Sequence, residues 1–385
     1  MDPTIWAERA HAAADSVNSG FGHRLLGAVP GTWIASVARP AQRVRTPWAP
    51  WHYWWQAHYL DCLVDAAQRR LAAATGPASA PRELALARDL LAGIRVRNGF
   101  RYRNWFYDDM AWLALASDRL GRLQGLPGAS GAGLPAARAA VRELGRELVS
   151  AETDDLGGGL FWNTRRRYKN TASTGPGALF FARTGDPARA QRLVDWLNER
   201  LLDPEQGLYL DGLNLAPGGA GELVRDVWTY NQGPILGALL ALGGADNLAR
   251  AAALTHAVAE RLTVETEHDG GHRRALRADG GGDGGLFMGI LARHLADAAG
   301  DPRLPLAARS TARGLVTATA EALWAGAELR TEPGRGRRDA AWWTFPQRPG
   351  EAASDAYPPG RRVELSTQLQ AWMVSEAAHR LTQGD

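Results

Sequence analysis

The feature that most constrains the fold is a helical periodicity that recurs along the whole chain. Apolar residues repeat with helical spacing, and capping signals divide the chain into about twelve helices. Segments with the alternating pattern of β-strands are scarce. The sequence therefore predicts an all-α protein. We expect its helices at about 4–19, 51–75, 81–97, 108–122, 134–152, 171–184, 187–202, 231–243, 246–263, 284–299, 303–324 and 362–381.

The connections between these helices alternate in length. Short turns at 184–187, 243–246 and 300–302 place a Gly after one helix and an Asp before the next, as helix caps do. Connections at 20–50, 153–170, 203–230, 264–283 and 325–361 are long and rich in Gly, aromatic and amide residues. An open α-solenoid is the alternative architecture, but its repeats should resemble one another in sequence. We therefore expect six helical hairpins in a closed (α/α)6 barrel, one domain over 1–385, with its cleft at the long-loop end.

Composition and charge exclude several classes of protein. The net charge is only +3, from 44 basic and 41 acidic residues, and the arginines are dispersed, so we expect no nucleic-acid partner. Cys62 is the single cysteine, which excludes an internal disulfide and a cysteine-based metal site. No apolar run reaches the roughly 18–20 residues of a membrane span. The first residues lack the features of a signal peptide, so we expect a cytoplasmic protein as written, or a secreted one if a signal was removed.

The acidic pair Asp108–Asp109 is the strongest candidate for chemistry. It lies in the segment 104–112, Asn-Trp-Phe-Tyr-Asp-Asp-Met-Ala-Trp, where a helix begins. Two acids at a helix start can simply cap it, but a solvated cap does not need so many aromatic neighbours. The chain also holds 15 Trp, about half of which we expect in the core and the others along a cleft that stacks on sugars or cations.

Two carboxylates in an aromatic pocket are the equipment of glycoside hydrolysis. Adjacent residues reach a carboxyl separation of about 5–5.5 Å, the retaining geometry, more easily than the roughly 6.5–9.5 Å of inverting enzymes. One carboxylate would attack the anomeric carbon while its partner, protonated because each raises the pKa of the other, protonates the leaving oxygen. An all-α Mg²⁺ enzyme would instead need a third acid at position 112, which is Trp112.

Other long-loop segments combine aromatic rings with amide, Asp or Lys side chains, a combination that suits the recognition of sugar hydroxyls. They are 48–58, 157–163, 168–170, 208–212 and 229–233. Each could serve as a turn or cap alone, and their shared position at one end of the barrel favours a binding cleft. The histidines form no His-Glu-x-x-His motif, and His268 and His272 lie in a Gly-rich segment where surface roles are expected. The Gly-rich loop 279–285 could be a flexible lip of the cleft or a weak Ca²⁺ loop. We expect no metal and no cofactor.

These motifs resemble glycoside hydrolase family 76, the bacterial α-1,6-mannanases. The resemblance runs from the Trp-Trp-Gln at 54–56 to about residue 300 through Tyr-Asp-Asp at 107–109, Gly-Gly-Leu-Phe-Trp-Asn at 158–163, Tyr-Lys-Asn at 168–170 and Tyr-Asn-Gln-Gly at 230–233. It implies an (α/α)6 barrel and retention, with Asp108 as nucleophile and Asp109 as general acid/base. Family members often have Phe-Lys-Gly-Ile where this chain has Met288 in place of the lysine.

The resemblance implies endo-cleavage of α-1,6-mannosidic linkages, with α-mannan or mannooligosaccharides as the partner. A transglycosidase, an exo-mannosidase acting on short oligosaccharides and a catalytically silent glycan-binding protein remain alternatives, with a sugar epimerase further off. The sequence leaves the oligomeric state open. Besides the acid pair, the candidate substrate-binding residues are Trp55, Gln56, Tyr107, Trp112, Trp162, Asn163, Lys169, Asn170, Asp211, Tyr230, Asn231 and Gln232.

Overall fold

The computed structural model describes residues 2–73, 82–124, 126, 134–216, 219, 221–268, 271–332 and 340–383. Within these residues the chain forms thirteen α-helices, which carry most of the structure. They are α1 (Pro3–Gly20), α2 (Tyr53–Ala73), α3 (Arg82–Arg97), α4 (Tyr107–Leu123), α5 (Leu134–Ala151), α6 (Thr171–Thr184), α7 (Pro187–Arg200), α8 (Thr229–Leu242), α9 (Ala245–Arg261), α10 (Gly284–Gly300), α11 (Leu306–Ala325), α12 (Ala353–Ala356) and α13 (Leu365–Leu381).

The helices form two concentric rings. In the inner ring α2, α4, α6, α8, α10 and α13 each pack against the next, and α13 packs against α2 and closes the circle. Each inner helix also packs against an outer one, namely α3, α5, α7, α9, α11 and α1 in the same order. The fold is an (α/α)6 barrel. Its sixth hairpin is assembled from the two ends of the helical series, since α13 pairs with α1.

The distribution of apolar residues explains which helices are inside. Helix α5 buries residues three or four apart, from Ala137 to Ala151, and exposes its other face, as an outer helix does. Helix α6 is buried without interruption from Thr171 to Phe181, because neighbours cover every side of it. Small residues let the inner helices approach closely: a Cβ on Gly289 of α10 would lie 2.9 Å from the Cα of Gln370 in α13.

The predicted helices are confirmed, with a few differences. All twelve are present, and most of their ends lie within about two residues of the predicted ones. The predicted end at 75 and the predicted start at 81 lie outside the described residues. Two helices begin three residues late, at Leu306 and Leu365, and the single-turn helix α12 was not predicted. The closed ring is incompatible with the open-solenoid alternative. Within the described residues, no helix combines the length and apolar character that a membrane span requires.

Short strands, which the periodicity did not predict, occupy the long connections and pair into small antiparallel sheets. The partners are often far apart in sequence, as for β3 and β13, so local pattern does not reveal them. They are β1 (Gly22–His23), β2 (Ile34–Ala35), β3 (Ala38–Arg39), β4 (Tyr168–Asn170), β5 (Leu202–Asp203), β6 (Leu208–Tyr209), β7 (Gly212–Leu215), β8 (Gly221–Val224), β9 (Thr263–His268), β10 (Gly271–Leu276), β11 (Glu328–Glu332), β12 (Ala340–Thr344) and β13 (Val363–Glu364).

Candidate active site

A cleft of about 430 Å³ opens where inner helices begin. The first turns of α2, α4, α8 and α10 and the residue that caps α6 all contribute to its walls. The sequence places aromatic and acidic residues at those helix starts. The lining residues are His52, Tyr53, Trp54, Phe106, Asp108, Asp109, Trp112, Trp162, Tyr168, Asn170, Asp211, Trp228, Tyr230, Asp283 and Phe287.

Asp108 lies in the first turn of α4, in the wall of the cleft. Its Oδ2 accepts a hydrogen bond from the Trp162 indole N–H at 3.0 Å, while Oδ1 has no hydrogen-bond partner among the described residues. Burial raises the pKa of Asp108 to about 7, and the first-turn backbone N–H groups and the Trp162 indole oppose that rise. Asp108 therefore has one buried oxygen without a side-chain partner, and its pKa lies near neutrality.

Asp109 has a different environment. Its Oδ2 accepts a hydrogen bond from the Asn104 amide at 2.6 Å. Burial, followed by the negative charge of Asp108, raises the pKa of Asp109 well above its ordinary value, and the bond from Asn104 only partly offsets this. The pair therefore favours a state in which Asp109 carries a proton.

Asp211 is a third carboxylate in the cleft and is held by two polar neighbours. Its Oδ2 accepts from the Tyr168 hydroxyl at 2.5 Å and its Oδ1 from the Asn231 amide at 3.1 Å. Burial raises the pKa of Asp211, against the effect of both hydrogen bonds. Asn231 lies behind Asp211 and orients it, whereas Asp211 itself faces the cleft.

Aromatic rings form much of the remaining wall. Tyr230 stacks on Phe287 with a centroid distance of 3.9 Å, and Trp228 meets Phe287 edge-on at 5.9 Å. Trp112 lies 6.4 Å from Tyr230, between it and the buried His58. These rings line the same cleft as the carboxylates and contribute the kind of apolar surface on which pyranose rings stack.

Asp283 is a cleft residue that sequence reasoning did not select. It lies at the N-terminal end of α10, and its Oδ1 accepts from the indole N–H groups of both Trp54 and Trp55, at 3.0 and 2.9 Å. Trp55 thus supports Asp283 from a buried position, and its neighbour Trp54 is the one that faces the cleft. The Gly-rich loop 279–285 was the available sequence signal. Phe106, Trp228, Phe287, His52 and Tyr53 were likewise not selected.

Gln56 and Gln232, predicted to bind substrate, lie outside the cleft wall and hold loops in place. Each is the fourth residue of an inner helix, and Gln368 occupies the same position in α13. The side-chain amide accepts from the N–H and donates to the C=O of one residue in a long connection, at 2.9–3.0 Å. The predicted role of Gln56 and Gln232 in substrate binding is therefore replaced by anchoring of these connections, because the oxygen and the nitrogen of each amide are already bonded to the backbone. The clamped residues are Ala35, Tyr209 and Phe345, in the same order.

Lys169 also lies away from the cleft. Its buried ammonium donates to three backbone carbonyls, those of Thr153, Asp155 and Gly158, each at 2.7 Å. Burial lowers the pKa of Lys169 to about 8, against the attraction of Asp155. A side chain with its three donors occupied has none left for a sugar, so Lys169 fixes the loop that leads into Trp162.

We expect Lys169→Met to unfold more easily without losing its chemistry. Three backbone carbonyls would lose their ammonium donor, which should cost about 2–3 kcal/mol of unfolding free energy, while kcat changes less than about fivefold because the ammonium does not reach the cleft. Thermal unfolding and steady-state kinetics measure both. Arg166→Met, which removes an exposed donor to the Ser150 carbonyl, is the matched control. A large loss of kcat at unchanged stability would return Lys169 to substrate binding.

The remaining candidates fall on two sides of the cleft boundary. Trp112, Trp162, Asn170 and Tyr230 line it, together with the acid pair and Asp211. The Tyr107 ring is buried, and its backbone N–H donates to the Trp162 carbonyl at 2.7 Å. Asn163 accepts the backbone N–H of Arg165 at 3.0 Å and faces a neighbouring hollow.

Both carboxylates of the Gly-rich loop, Asp279 and Asp283, accept hydrogen bonds from other residues of the protein. Asp279 accepts from Arg277 and from the backbone N–H and hydroxyl of Thr229. In the part of the chain that the structure describes, no three His, Cys, Asp or Glu side chains are grouped as metal ligands would be.

A family comparison places this cleft among known proteins. The model of glycosyl hydrolase family 76 matches residues 6–345. The chain belongs to glycosyl hydrolase family 76. The family 76 protein is accordingly a glycosidase on an (α/α)6 barrel. The matched region runs from α1 to the end of β12 and is longer than the region covered by the sequence motifs. No curated protein sequence matches the chain.

Solved structures similar to the family 76 protein include an α-1,6-mannanase of Salegentibacter sp. HEL1_6. It is 28% identical, with a TM-score of 0.76 over 98% of this chain and 99% of the relative. An inactive variant of that relative, in which two consecutive aspartates are replaced by asparagine, binds α-1,6-mannotriose. The Lin0763 protein of Listeria innocua, 23% identical with a TM-score of 0.75 over 99% of this chain and 98% of its own, shares the fold.

Proposed function

We propose that the family 76 protein is a retaining, endo-acting glycoside hydrolase that cleaves α-1,6-mannosidic linkages in mannan-type glycans. The observation that carries the proposal is the pair Asp108–Asp109, set in an aromatic cleft with two different environments for its carboxylates. The Salegentibacter relative supports the substrate, because it is named for α-1,6-mannan and its inactive variant lacks two consecutive aspartates.

Asp108 is the nucleophile of this proposal. Its Oδ1 is buried and has no hydrogen-bond partner among the described residues, and the Trp162 indole holds Oδ2. With a pKa of about 7, the carboxylate is available as an anion at neutral to mildly alkaline pH. The fixed indole N–H sets its orientation toward the anomeric carbon.

Asp109 is the general acid and then the general base. The raised pKa keeps it protonated beside the ionised Asp108. It gives its proton to the glycosidic oxygen as the bond from that oxygen to the anomeric carbon breaks and Asp108 bonds to the carbon. In the second step Asp109 takes a proton from water, the water oxygen attacks the anomeric carbon, and the bond to Asp108 breaks.

The cleft walls supply binding. In this proposal Trp112, Trp162 and Tyr230 stack on sugar rings, and Asn170 and Asp211 bond hydroxyl groups. Trp55, Tyr107 and Asn231 support the wall from behind, since each contacts a lining residue from outside the cleft. The proposed endo mode agrees with the naming of the Salegentibacter relative as a mannanase.

A proton NMR time course with linear α-1,6-mannooligosaccharides tests the proposal. We expect new reducing ends to appear first as the α-anomer, because two displacements at one carbon restore its configuration. β-Anomers first would mean inversion and remove Asp108 from the nucleophile role. Transfer products longer than the substrate would indicate a transglycosidase, release of single terminal sugars an exo mode, and binding without turnover a glycan-binding protein.

A further inference from the structure

A second hollow of about 560 Å³ lies beside the active-site cleft. Phe106 and Trp162 line both spaces, and their ring centroids are 5.2 Å apart, so the two spaces share an aromatic rim. The outer hollow is thus a continuation of the cleft across an aromatic rim. Its lining residues are Trp105, Phe106, Trp162, Asn163, Thr164 and Arg165.

The outer hollow is built on backbone hydrogen bonds. The Thr164 N–H donates to the Trp105 carbonyl at 3.0 Å, and the Tyr107 N–H donates to the Trp162 carbonyl at 2.7 Å. These bonds pair segment 105–107 with segment 162–164 in antiparallel fashion, through the bridge between Phe106 and Asn163. The aromatic rings therefore project from a fixed backbone, and the protein would lose little conformational freedom when a ligand binds.

The exposure of these rings is unusual for their size. Trp105 is 72% exposed, and Phe106 and Trp162 are each 37% exposed. Isolated apolar residues at the surface are common, but three adjacent rings beside a binding cleft mark an interaction site. Polar groups lie at the edge of the patch, namely the exposed Thr164 hydroxyl and Arg165 guanidinium.

We propose that the outer hollow is a further subsite, in which one more hexose of the same glycan chain stacks on Trp105. The inference rests on the proposed function and adds the place where the glycan continues after it leaves the cleft. A pyranose has an apolar face for the indole and hydroxyls at its rim for Thr164 and Arg165. Because Phe106 and Trp162 line both spaces, the glycan that occupies the cleft is the molecule that can extend into the outer hollow.

The arrangement also links the outer hexose to the reacting centre. The Trp162 ring lines both spaces, and its N–H donates to Asp108. A sugar on the outer face of the rim packs against the side chain that orients Asp108. Long glycans therefore bind with one more ring contact than short ones and hold Trp162 in its bonded position.

Calorimetry tests the subsite on protein inactivated by the double change Asp108→Asn and Asp109→Asn, so that the ligand is not consumed. The ligands are linear α-1,6-mannooligosaccharides from the disaccharide to the hexasaccharide. We expect affinity to rise at the length that reaches Trp105, and a further Trp105→Ala change to weaken the longest ligand about fivefold while leaving the shortest unchanged. Trp105→Phe should keep most of the gain.

Trp48→Ala is the matched control, because Trp48 is 80% exposed and lines neither space. It should leave the affinity for every ligand unchanged. If the inactivated protein binds the ligands but Trp105→Ala binds each length equally well, the outer subsite is refuted and the proposed function stands. If the inactivated protein binds none of them, the proposed function fails, and this inference fails with it.

Discussion

Replacing Asp108 or Asp109 by asparagine is expected to lower kcat/KM on α-1,6-mannooligosaccharides by about a thousandfold or more. Asn at 108 cannot form the bond to the anomeric carbon, and Asn at 109 has no proton to give to the leaving oxygen. Steady-state assays with purified variants measure the loss. Asp154→Asn is the matched control, because it alters a second pair of adjacent acids at residues 154–155, outside the cleft lining.

The pH dependence of the wild-type protein follows from the same pair. The reaction requires an ionised Asp108 and a protonated Asp109. We therefore expect kcat/KM to rise as the pH passes the Asp108 pKa of about 7 and to fall at higher pH, where Asp109 loses its proton. In Asp109→Asn the alkaline decrease should disappear from the residual activity. An alkaline decrease that persists in this variant would assign the proton to another group.

The two variants should also be more stable than the wild type at alkaline pH. A carboxyl whose pKa is raised by folding costs stability as the pH rises from its unfolded pKa, about 4, toward the folded one. For Asp108, whose pKa rises from about 4 to about 7, this cost should approach about 4 kcal/mol above pH 8 and vanish near pH 4, and the cost for Asp109 has the same sign. Thermal unfolding at both pH values shows it. An inactive variant that is less stable at pH 8 would indicate a folding defect rather than lost chemistry.

The second large effect is expected from a buried ion cluster between three inner helices. Asp61 and Asp65, one turn apart on α2, face Arg119 of α4 and Arg293 of α10, with Arg293 at 2.5 Å from Asp61 and 2.7 Å from Asp65. The arginines hold the pKa values of both aspartates below the ordinary range despite burial. Each arginine pairs with both aspartates, and removing one member leaves a buried charge uncompensated.

We expect Arg293→Met to lower the unfolding free energy by about 3–5 kcal/mol at neutral pH. Chemical denaturation measures it, with Arg192→Met, which breaks an exposed pair with Glu152, as a control that should change stability by less than about 1 kcal/mol. Ion pairing of carboxylates contributes stability above their unfolded pKa and loses it as the pH falls through their lower folded pKa. The effect of Arg293→Met should therefore shrink in acid, and an effect independent of pH would attribute it to packing.

The helices could be predicted because their apolar spacing and caps are local properties of the sequence. The Gly-Asp turn at 184–187 ends one helix and begins the next as predicted, with Gly185 left-handed and Asp186 capping α7. The acid pair could likewise be selected from its own neighbours. The ion cluster was not predicted, since its four members come from three helices, and the spacing of Asp61 and Asp65 is its only local sign.

The cleft wall was predicted less well than the acid pair, because the rotation of a helix decides which neighbour faces inward. Of two adjacent tryptophans, Trp54 lines the cleft and Trp55 lies behind it. Gln56 has the polarity of a sugar ligand, yet its amide is used by the backbone of Ala35, 21 positions earlier. Residue type does not distinguish these two uses, since both satisfy the same donors and acceptors.

The pairing of α13 with α1, and of α13 with α2, bears on how the barrel forms. These contacts join segments more than 300 residues apart, so they carry a high loop-closure cost and raise the contact order of the molecule. Hairpins α4–α5 to α10–α11 can form from local contacts. Helices α1 and α2 can pack against α13 only after the last part of the chain has been synthesised. Closure of the ring should therefore be the slow and late event of folding, and until then one flank of α2 stays open to non-native association.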